Sequence, residues 1–324
     1  MAPQLLYGTN LFGDSIRLPS AELAQPFLDV IKTQGINHLD TAYCYPTYDE
    51  SKKSEAILGE LKAGSEQGFI IDTKTISWAP GSHSYKSLME TVVTQPKRLG
   101  IDKINILYLH GPDRSVPFEE THKAINELYE LGIFKYFGLS NYAAEDVQAF
   151  LDSAEKNGWV KPSYFQGLYN MIARKPETEL FPLLKKNNIS FYAYSPLAGG
   201  FFSNIKRGQT PAEGSRFDVN APYGKMWQDF FYKDSLFDIK DKLDDLAKKY
   251  DTTSNAIALR WIVNHSELSK FSDKNGVILG GSKPSQIEEN AKDALRGPLP
   301  DEIVEQIEKL WETVAKDDEP AYHM

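Results

Sequence analysis

Residues 36–45, Ile-Asn-His-Leu-Asp-Thr-Ala-Tyr-Cys-Tyr, decide how the rest of the chain is interpreted. The apolar first part predicts a buried strand over residues 36–43, and the last residues predict a loop. Asp40 lies within this strand, where an ionised carboxylate is costly unless it is paired. Tyr45 follows the strand, so a barrel strand would present an acid and a phenol here. On this stretch alone, a core strand with a capping Asp and a packing Tyr remains an equal alternative.

Strands and helices alternate along the whole chain. Predicted strands cover residues 5–9, 36–43, 69–76, 104–109, 136–139, 163–169, 189–194 and 276–280. Predicted helices cover residues 20–34, 51–62, 86–99, 118–131, 144–157, 177–187, 236–250, 253–265, 284–294 and 301–316. Eight strands separated by helices predict an α/β fold, a single (β/α)8 TIM barrel domain over residues 1–324 with extra C-terminal helices. The alternative is a doubly wound sheet, which the lack of Gly-x-Gly-x-x-Gly after any strand argues against.

Residues 199–235 interrupt the alternation. The segment is rich in Gly, Phe, Tyr and Asp and has weak periodicity. A loop of this length inside a compact domain is either functional or disordered. Its aromatic residues argue against disorder, and we expect it to cover a bound ligand.

Composition limits the possible partners. The net charge of −9 argues against nucleic acid as the main partner, because phosphate binding needs a basic surface. No apolar run approaches the roughly 20 residues of a membrane span. The single cysteine, Cys44, excludes an intrachain disulfide. The N-terminus lacks the pattern of a signal peptide, so we expect a cytoplasmic protein without membrane or nucleic-acid partners.

Polar residues cluster at the predicted strand ends, where a barrel of this kind builds its active site. Lys74 lies late in the third strand, and Asp40 on the neighbouring strand is its natural counter-ion. A phenol has a pKa of about 10, and a nearby ammonium group favours its phenolate and makes proton donation easier. His110 would orient a carbonyl oxygen beside Tyr45. The alternatives are a solvated, outward-facing Lys74 and a purely structural His110.

Together these groups suit protonation of a carbonyl oxygen while a hydride reaches its carbon, and the hydride must come from a cofactor. No second His or Cys has metal-ligand spacing, so no metal is predicted. A lysine Schiff-base mechanism on Lys74 is a minor alternative.

The motifs that carry this chemistry also resemble those of a known family. They are residues 39–45, Lys74, residues 109–110, residues 138–141 and residues 194–197, in that order. In order and spacing they resemble the aldo-keto reductases, and most closely the aflatoxin-aldehyde and succinic-semialdehyde reductase branch. The resemblance implies an NADPH-dependent aldehyde and ketone reductase with a catalytic tetrad of Asp40, Tyr45, Lys74 and His110. It also allows a second function, an NADPH-binding regulatory or sensor subunit with little turnover.

The resemblance further implies a set of cofactor contacts. Ser140, Asn141 and Gln166 are expected at the nicotinamide carboxamide, and Tyr194 on the nicotinamide ring. The loop that crosses the pyrophosphate is expected to contribute Ser195, Pro196, Leu197, Gly199, Gly200 and Asn204. Residues expected around the adenosine 2′-phosphate are Gly281, Ser282, Lys283, Gln286 and Asn290, at a helix N-terminus that favours an anion. Many relatives have Arg where Gln286 stands, and the sequence leaves open whether Lys283 or Arg216 supplies the missing charge.

The expected substrate is a small-molecule carbonyl compound. The candidate walls of its pocket, beside Tyr45 and His110, are Trp78, Asn170, Met171 and Tyr322. Arg174 would attract a carboxylate if it faced the pocket, although a surface position is the main expectation for it. A homodimer is expected only by likeness to the same branch.

Overall fold

The computed structural model describes residues 2–49, 51–203, 205–314 and 318–324 and confirms the barrel. The strands are β1 (Gln4–Gly8), β2 (His38–Asp40), β3 (Ile70–Lys74), β4 (Ile104–Leu109), β5 (Phe134–Ser140), β6 (Tyr164–Leu168), β7 (Ser190–Tyr194) and β8 (Gly276–Leu279). Each strand pairs in parallel with its neighbours in chain order. Pairing of β1 with β8 closes the sheet into a (β/α)8 barrel.

Helices connect successive strands and surround the barrel. They are α1 (Ala21–Thr33), α2 (Lys53–Glu60), α3 (Tyr85–Val92), α4 (Gln95–Leu99), α5 (Phe118–Glu130), α6 (Ala144–Asn157), α7 (Pro176–Glu179), α8 (Phe181–Lys186), α9 (Gly224–Phe231), α10 (Asp234–Lys249), α11 (Ser254–Asn264), α12 (Leu268–Phe271), α13 (Pro284–Leu295) and α14 (Asp301–Val314). None of the helices in the described ranges has the length and apolar character needed to cross a membrane.

Strand alternation divides the buried side chains into two groups. Leu39 and Ile71 belong to the large core between the barrel and its helices. A second cluster holds the side chains Leu6, Ile106, Tyr108, Tyr164, Tyr192 and Ile278. Since side chains alternate along each strand, His38 and Asp40 point to the opposite side of β2 from Leu39. They therefore lie inside the barrel, as do Asp72 and Lys74 on β3.

The strand that decides the fold is shorter than its sequence predicts. β2 ends at Asp40, whereas the expected strand extended to residue 43. The backbone nevertheless stays beside β3, because Thr41 N donates to Asp72 O at 3.0 Å and Tyr43 N donates to Lys74 O at 3.1 Å. The chain therefore reaches Tyr45 along the edge of the barrel mouth.

Two predicted helices are each divided in the structure, and proline accounts for both divisions. The helix predicted over residues 86–99 is α3 followed by α4, and Pro96 lies in the first turn of α4. The helix predicted over residues 177–187 is α7 followed by α8, and Pro182 lies in the first turn of α8. Proline has no N–H to continue a helix from the preceding turn but is well tolerated in a first turn.

The long segment after β7 is more ordered than its sequence indicates. It contains a short 3-10 helix at Ala198–Gly200 and the helix α9, so the expectation of a loop throughout is wrong. The aromatic side chains of this segment pack against one another, as expected for an ordered segment. The rings that pack on one another here, with centroids 5.1 to 6.4 Å apart, are Phe201, Phe217, Phe231, Tyr232 and Phe237. Asn204 lies outside the described residues.

Candidate active site

A buried ion pair forms the floor of the site. Lys74 Nζ donates to Asp40 Oδ2 at 2.7 Å and to the carbonyl oxygen of Thr41 at 2.8 Å. The two charged side chains are 1% and 4% exposed, so the alternative of a solvated Lys74 is wrong. The pairing follows from the sheet, since neighbouring parallel strands end at the same edge of the barrel. A buried ammonium is stable here because it has both a carboxylate and a carbonyl partner.

The phenol of Tyr45 lies against this ammonium group. Lys74 Nζ is 3.5 Å from Tyr45 Oη and 4.9 Å from the centre of the ring. Burial raises the pKa of Tyr45, and the positive charge of Lys74 acts in the opposite direction. The phenol therefore carries its proton at neutral pH, and a cation is in place to stabilise the phenolate that would remain after donation.

His110 is the third group at the mouth. Its ring centre is 5.7 Å from that of Tyr45, with the planes at 81°. Burial and the charge of Lys74 hold the pKa of His110 well below its usual range, so the imidazole is neutral. His110 Nδ1 is buried and has no hydrogen-bond partner in the part of the chain that the structure describes. A neutral imidazole can donate from one nitrogen to a carbonyl oxygen.

The side chains expected at the nicotinamide carboxamide lie together beside the tetrad. Gln166 Nε2 donates to Asp40 Oδ1 at 2.7 Å. Asn141 adopts φ +63° and donates from Nδ2 to the His110 carbonyl oxygen at 2.8 Å and to Ser140 Oγ at 3.1 Å. Tyr194 Oη donates to Asn141 Oδ1 at 2.8 Å. The same hydrogen bonds therefore connect the ends of β4, β5 and β7.

The backbone after β7 turns sharply beside this group. Ser195 and Gly199 have φ values of +54° and +70°, and the intervening Pro196 and Leu197 form the turn. A Cβ atom on Gly199 would lie 2.8 Å from the Trp227 ring and 3.2 Å from Arg216 Cδ, so this close approach requires glycine. Gly200 also has a positive φ, of +98°.

Arg216 is a half-buried cation at this turn. Its guanidinium group lies 4.9 Å from the centre of the Trp227 ring. Burial lowers the pKa of Arg216, while the Tyr45 hydroxyl acts in the opposite direction. Arg216 forms no ion pair with any residue in the described ranges. A partly desolvated guanidinium group without an acidic partner is suited to an anion such as a phosphate.

A second cation lies at the N-terminus of α13. Gln286 Oε1 accepts from Ser282 N at 2.9 Å and from Ser282 Oγ at 3.0 Å, and Asn290 Nδ2 donates to Gly280 O at 3.0 Å. Lys283 is exposed at the N-cap, and no carboxylate of a described residue pairs with it. A Cβ atom on Gly281 would lie 2.9 Å from Ile287 Cγ1, so glycine allows this close approach to α13. The positive end of the helix and the Lys283 ammonium together suit an anion.

Comparisons with known proteins decide the family. The sequence profile of the aldo/keto reductase family matches residues 4–312. The chain belongs to the aldo/keto reductase family. It is 34% identical to the oxidoreductase sirO of Leptosphaeria maculans, with 100% of this chain and 98% of that protein aligned. It is 36% identical to an aldo-keto reductase of Pseudocercospora fijiensis, over 91% of this chain and 99% of that protein.

Relatives in the branch expected from the motifs are also similar to this aldo/keto reductase. Human aflatoxin B1 aldehyde reductase member 4 is 33% identical over 97% of this chain and 95% of its own length. The rat aflatoxin B1 aldehyde reductase member 2 is 35% identical over 91% of this chain and 81% of its own length. The predicted resemblance is therefore confirmed, and membership in this oxidoreductase family supports a nicotinamide cofactor.

The four expected pocket residues of this aldo/keto reductase lie in different surroundings. Trp78 is 43% exposed, and its ring centre is 5.3 Å from that of His110. Asn170 is fully buried and donates to the Ser195 carbonyl oxygen at 3.1 Å. Met171 is buried among side chains of α10 and α14. Of these three, Trp78 alone combines exposure with a contact to the tetrad.

The fourth, Tyr322, is buried in the C-terminal segment 318–324. This segment lies against the rim of the barrel, since Met324 N donates to Asn141 O at 3.1 Å. Arg114 Nη1 donates to Met324 O at 3.0 Å. The segment is therefore bound to loops that follow β4 and β5.

Arg174 is neither a pocket residue nor a surface residue. It forms a two-point hydrogen bond with Glu177 at 2.8 and 3.0 Å and a third with Glu308 at 2.8 Å. Its guanidinium group also lies 4.8 and 4.2 Å from the ring centres of Trp261 and Trp311. The expectation of a solvated arginine is therefore wrong, because these partners come from three separate helical segments.

Two further charged residues inside the barrel were not among the predicted site residues. His38 and Asp72 each precede a tetrad residue by two positions, and their side chains are 2.8 Å apart. The period-2 alternation that placed Asp40 and Lys74 inside the barrel also predicts this position. No group of three or more His, Cys, Asp or Glu side chains in the described ranges is arranged to hold a metal ion.

Proposed function

We propose that the protein is an NADPH-dependent reductase that converts aldehydes and ketones to alcohols, with Tyr45 as the proton donor. The observation that carries this proposal is the position of Lys74 Nζ between Asp40 and Tyr45, with the neutral ring of His110 beside the phenol. The arrangement offers a neutral hydrogen-bond donor and a proton donor at the same side of the barrel mouth. A carbonyl oxygen needs both during reduction.

Each residue of the tetrad has a separate role in the reduction of the carbonyl group. NADPH, when bound, would supply the hydride that the carbonyl carbon receives. His110 donates a hydrogen bond that orients the oxygen and polarises the C=O bond. Tyr45 transfers its hydroxyl proton to this oxygen, and Lys74 stabilises the phenolate that is left. Asp40 keeps Lys74 charged and in position, so the carbonyl group gains a hydride on carbon and a proton on oxygen.

The cofactor contacts follow from the groups around the tetrad. The Gln166 Oε1 atom, Ser140 and Asn141 would hold the carboxamide, and the ring of Tyr194 would lie against the nicotinamide. Arg216 lies beside Gly199, five residues after Tyr194, and therefore lies toward the nicotinamide end. We assign it to the pyrophosphate. Gly199 and Gly200 allow this loop to approach closely.

Lys283 is the better candidate for the 2′-phosphate of NADPH. It lies next to Ser282, whose backbone N–H and hydroxyl donate to Gln286, the position at which the family resemblance leads us to expect Arg. An extended dinucleotide separates its nicotinamide and adenosine ends, so Arg216 cannot serve both. The preference for NADPH over NADH therefore rests on Lys283 and the N-terminus of α13.

A moderately apolar aldehyde is the substrate class that the site favours. Trp78 presents a partly exposed aromatic surface beside His110. The names of the aflatoxin B1 aldehyde reductases agree with an aldehyde substrate. Aromatic and aliphatic side chains around a few polar groups are the usual composition of such pockets.

The test is a steady-state assay with a panel of aldehydes that includes 4-nitrobenzaldehyde. We expect NADPH to be consumed and the alcohol to carry deuterium when NADPH labelled at C4 of the nicotinamide is used. Repeating the assay with NADH measures the cofactor preference. Tight NADPH binding with no reduction of any aldehyde would contradict the proposal and favour a sensor protein.

A further inference from the structure

A second buried ion pair lies below the catalytic pair. His38 and Asp40 share the interior side of β2, and Asp72 and Lys74 share the interior side of β3, because each couple is separated by two positions. The order of the basic and acidic residues along the strand is opposite in β2 and β3. β2 carries a histidine and then an acid, whereas β3 carries an acid and then a lysine.

The lower pair is shielded from water. His38 Nε2 is 2.8 Å from Asp72 Oδ2, and the side chains are 6% and 0% exposed. The contact between His38 Nε2 and Asp72 Oδ2 is an ion pair rather than a well-directed hydrogen bond, since Oδ2 has no donor in good hydrogen-bond geometry. Asp72 Oδ1 accepts from Asn105 Nδ2 at 2.7 Å and from Ile106 N at 3.1 Å. The two oxygens of Asp72 therefore have different partners, two N–H donors at Oδ1 and His38 at Oδ2.

The two carboxylates are neighbours. Asp40 and Asp72 are paired residues in the β2–β3 ladder. Two buried negative charges on adjacent strands repel each other, and each therefore needs its own cation. Lys74 is the cation that pairs with Asp40, and His38 is the cation that pairs with Asp72.

The other groups that face this pair are neutral. They are Gln4 on β1, Asn105 and Tyr108 on β4, Tyr164 on β6 and Tyr192 on β7. Burial raises the pKa of each of these tyrosines above its usual value. Burial also opposes the charge of His38, but the attraction of Asp72 and Asp40 outweighs it and raises the pKa of His38.

We propose that His38 is a positioning residue for the tetrad: its positive charge neutralises Asp72, so that Asp40 stays ionised and continues to hold Lys74 against Tyr45. If His38 loses its charge, Asp72 is left as an unpaired anion beside Asp40. The repulsion is then relieved by protonation of a carboxylate, and a protonated Asp40 no longer holds Lys74. This inference rests on the proposed reductase function.

The proposal predicts an unequal effect of removing each partner. His38→Gln keeps a hydrogen-bond donor but leaves Asp72 without a cation. Asp72→Asn leaves His38 without an acid, and a histidine can adapt by releasing its proton. The double variant removes both charges together, so no buried charge is left alone.

The experiment is a double-mutant cycle on kcat with NADPH and 4-nitrobenzaldehyde. At pH 7 we expect His38→Gln to lower kcat by about tenfold or more, because the unpaired Asp72 charge favours the protonated form of Asp40, and Asp72→Asn to lower it by less than about threefold. We expect the double variant to match Asp72→Asn. A merely structural role predicts additive losses, which would make the double variant slower than His38→Gln. A double variant that is as slow as His38→Gln or slower therefore overturns the proposal, as does a His38→Gln variant with unchanged kcat.

His122→Gln is the matched control. His122 is also buried, but its ring nitrogens contact Ser153 Oγ at 3.0 Å and Val160 O at 2.8 Å, with no carboxylate. We expect its kcat to equal that of the unaltered protein. A loss as large as that of His38→Gln would show that any buried histidine matters and would overturn the proposal.

A measurement on the cofactor-free protein separates this inference from the reductase function. In carbon-13 NMR of labelled histidine, we expect the His38 imidazole to be protonated at pH 7 and to titrate at lower pH in Asp72→Asn. A neutral His38 at pH 7 overturns the inference, whether or not the variants fold. If the unaltered protein reduces no aldehyde, the function fails, but the charge of His38 is still decided.

Discussion

Gln166 donates a hydrogen bond of 2.7 Å to Asp40 across the mouth of the barrel, although the two residues are 126 positions apart. It contacts Oδ1, while Lys74 contacts Oδ2. β2 and β6 lie on opposite sides of the eight-stranded barrel, so this bond connects strands that do not touch. Both oxygens of the buried carboxylate therefore have donors, as burial of an ionised acid requires.

Gln166→Leu should destabilise the protein and slow the reaction. The substitution leaves Asp40 Oδ1 without a donor, and a buried acceptor without a partner costs about 1–3 kcal/mol. Urea unfolding without cofactor measures the loss. Gln148→Leu is the control, because Gln148 donates to Asp152 at 2.6 Å on an exposed helix surface. Equal stability of the two variants would contradict this reading of the Gln166–Asp40 bond.

Lys283→Met and Arg216→Gln should weaken cofactor binding in different ways. Loss of a charge-assisted contact to the 2′-phosphate costs enough to raise the Kd by about tenfold. Because NADH lacks this phosphate, we expect Lys283→Met to lower the affinity for NADPH and to leave the affinity for NADH unchanged. Arg216→Gln should lower the affinities for NADPH and NADH by similar factors, since both cofactors have the pyrophosphate.

Fluorescence titration with the two cofactors measures these effects. Lys292→Met is the control for Lys283→Met, because Lys292 lies on the same helix and pairs with Glu288. Its affinity for both cofactors should not change. If Lys283→Met lowered the affinities for NADH and NADPH equally, the assignment of Lys283 to the 2′-phosphate would be contradicted.

His83→Gln should make the protein less sensitive to acid. Its ring lies 2.8 Å from Ser77 Oγ and 3.1 Å from Ile76 O, in the segment that carries Trp78, and burial lowers its pKa to about 4 from 6.5. A histidine with a lowered folded-state pKa stabilises the protein above about pH 6.5, and this contribution is lost as the pH falls toward 4. The total is about 3 kcal/mol.

The measurement is the free energy of unfolding of both proteins at pH 7 and pH 4.5. Carboxylates away from His83 titrate alike in both proteins, and Asp113 keeps its hydrogen bond from the His83 backbone N–H in the variant, so the difference between the two proteins reports mainly on the His83 ring. We expect the unaltered protein to lose about 2 kcal/mol more than His83→Gln over this range. An equal loss would mean that folding does not lower the pKa of His83.

Local sequence rules account for the parts of the site that lie along one strand or its neighbour. Period-2 alternation and the rule that barrel strands end at one edge are enough to pair Asp40 with Lys74. The same alternation contains His38 and Asp72, although a histidine in an apolar strand gives little reason to expect a charge. Pro96 and Pro182 lie at the two helix divisions, but Pro26 lies inside the undivided α1, so proline alone does not predict a division.

Contacts between distant segments could not be predicted in this way. The bond between Gln166 and Asp40 depends on how the closed barrel aligns opposite strands. Arg174 is buried because Glu177, Glu308 and two tryptophans converge on it from separate segments. No spacing along the chain encodes that convergence. The side chain of Met171 likewise faces α10 and α14, and the direction of a loop side chain is set by tertiary packing.

The most direct test of the account is the rate of aldehyde reduction by Tyr45→Phe, measured together with its affinity for NADPH. Removing a proton donor costs about 10²–10⁴-fold in rate. We expect a loss of kcat in this range with little change in the Kd for NADPH, because the Tyr45 hydroxyl is assigned to the substrate oxygen. A Tyr45→Phe variant that binds NADPH normally and keeps most of its kcat would contradict it.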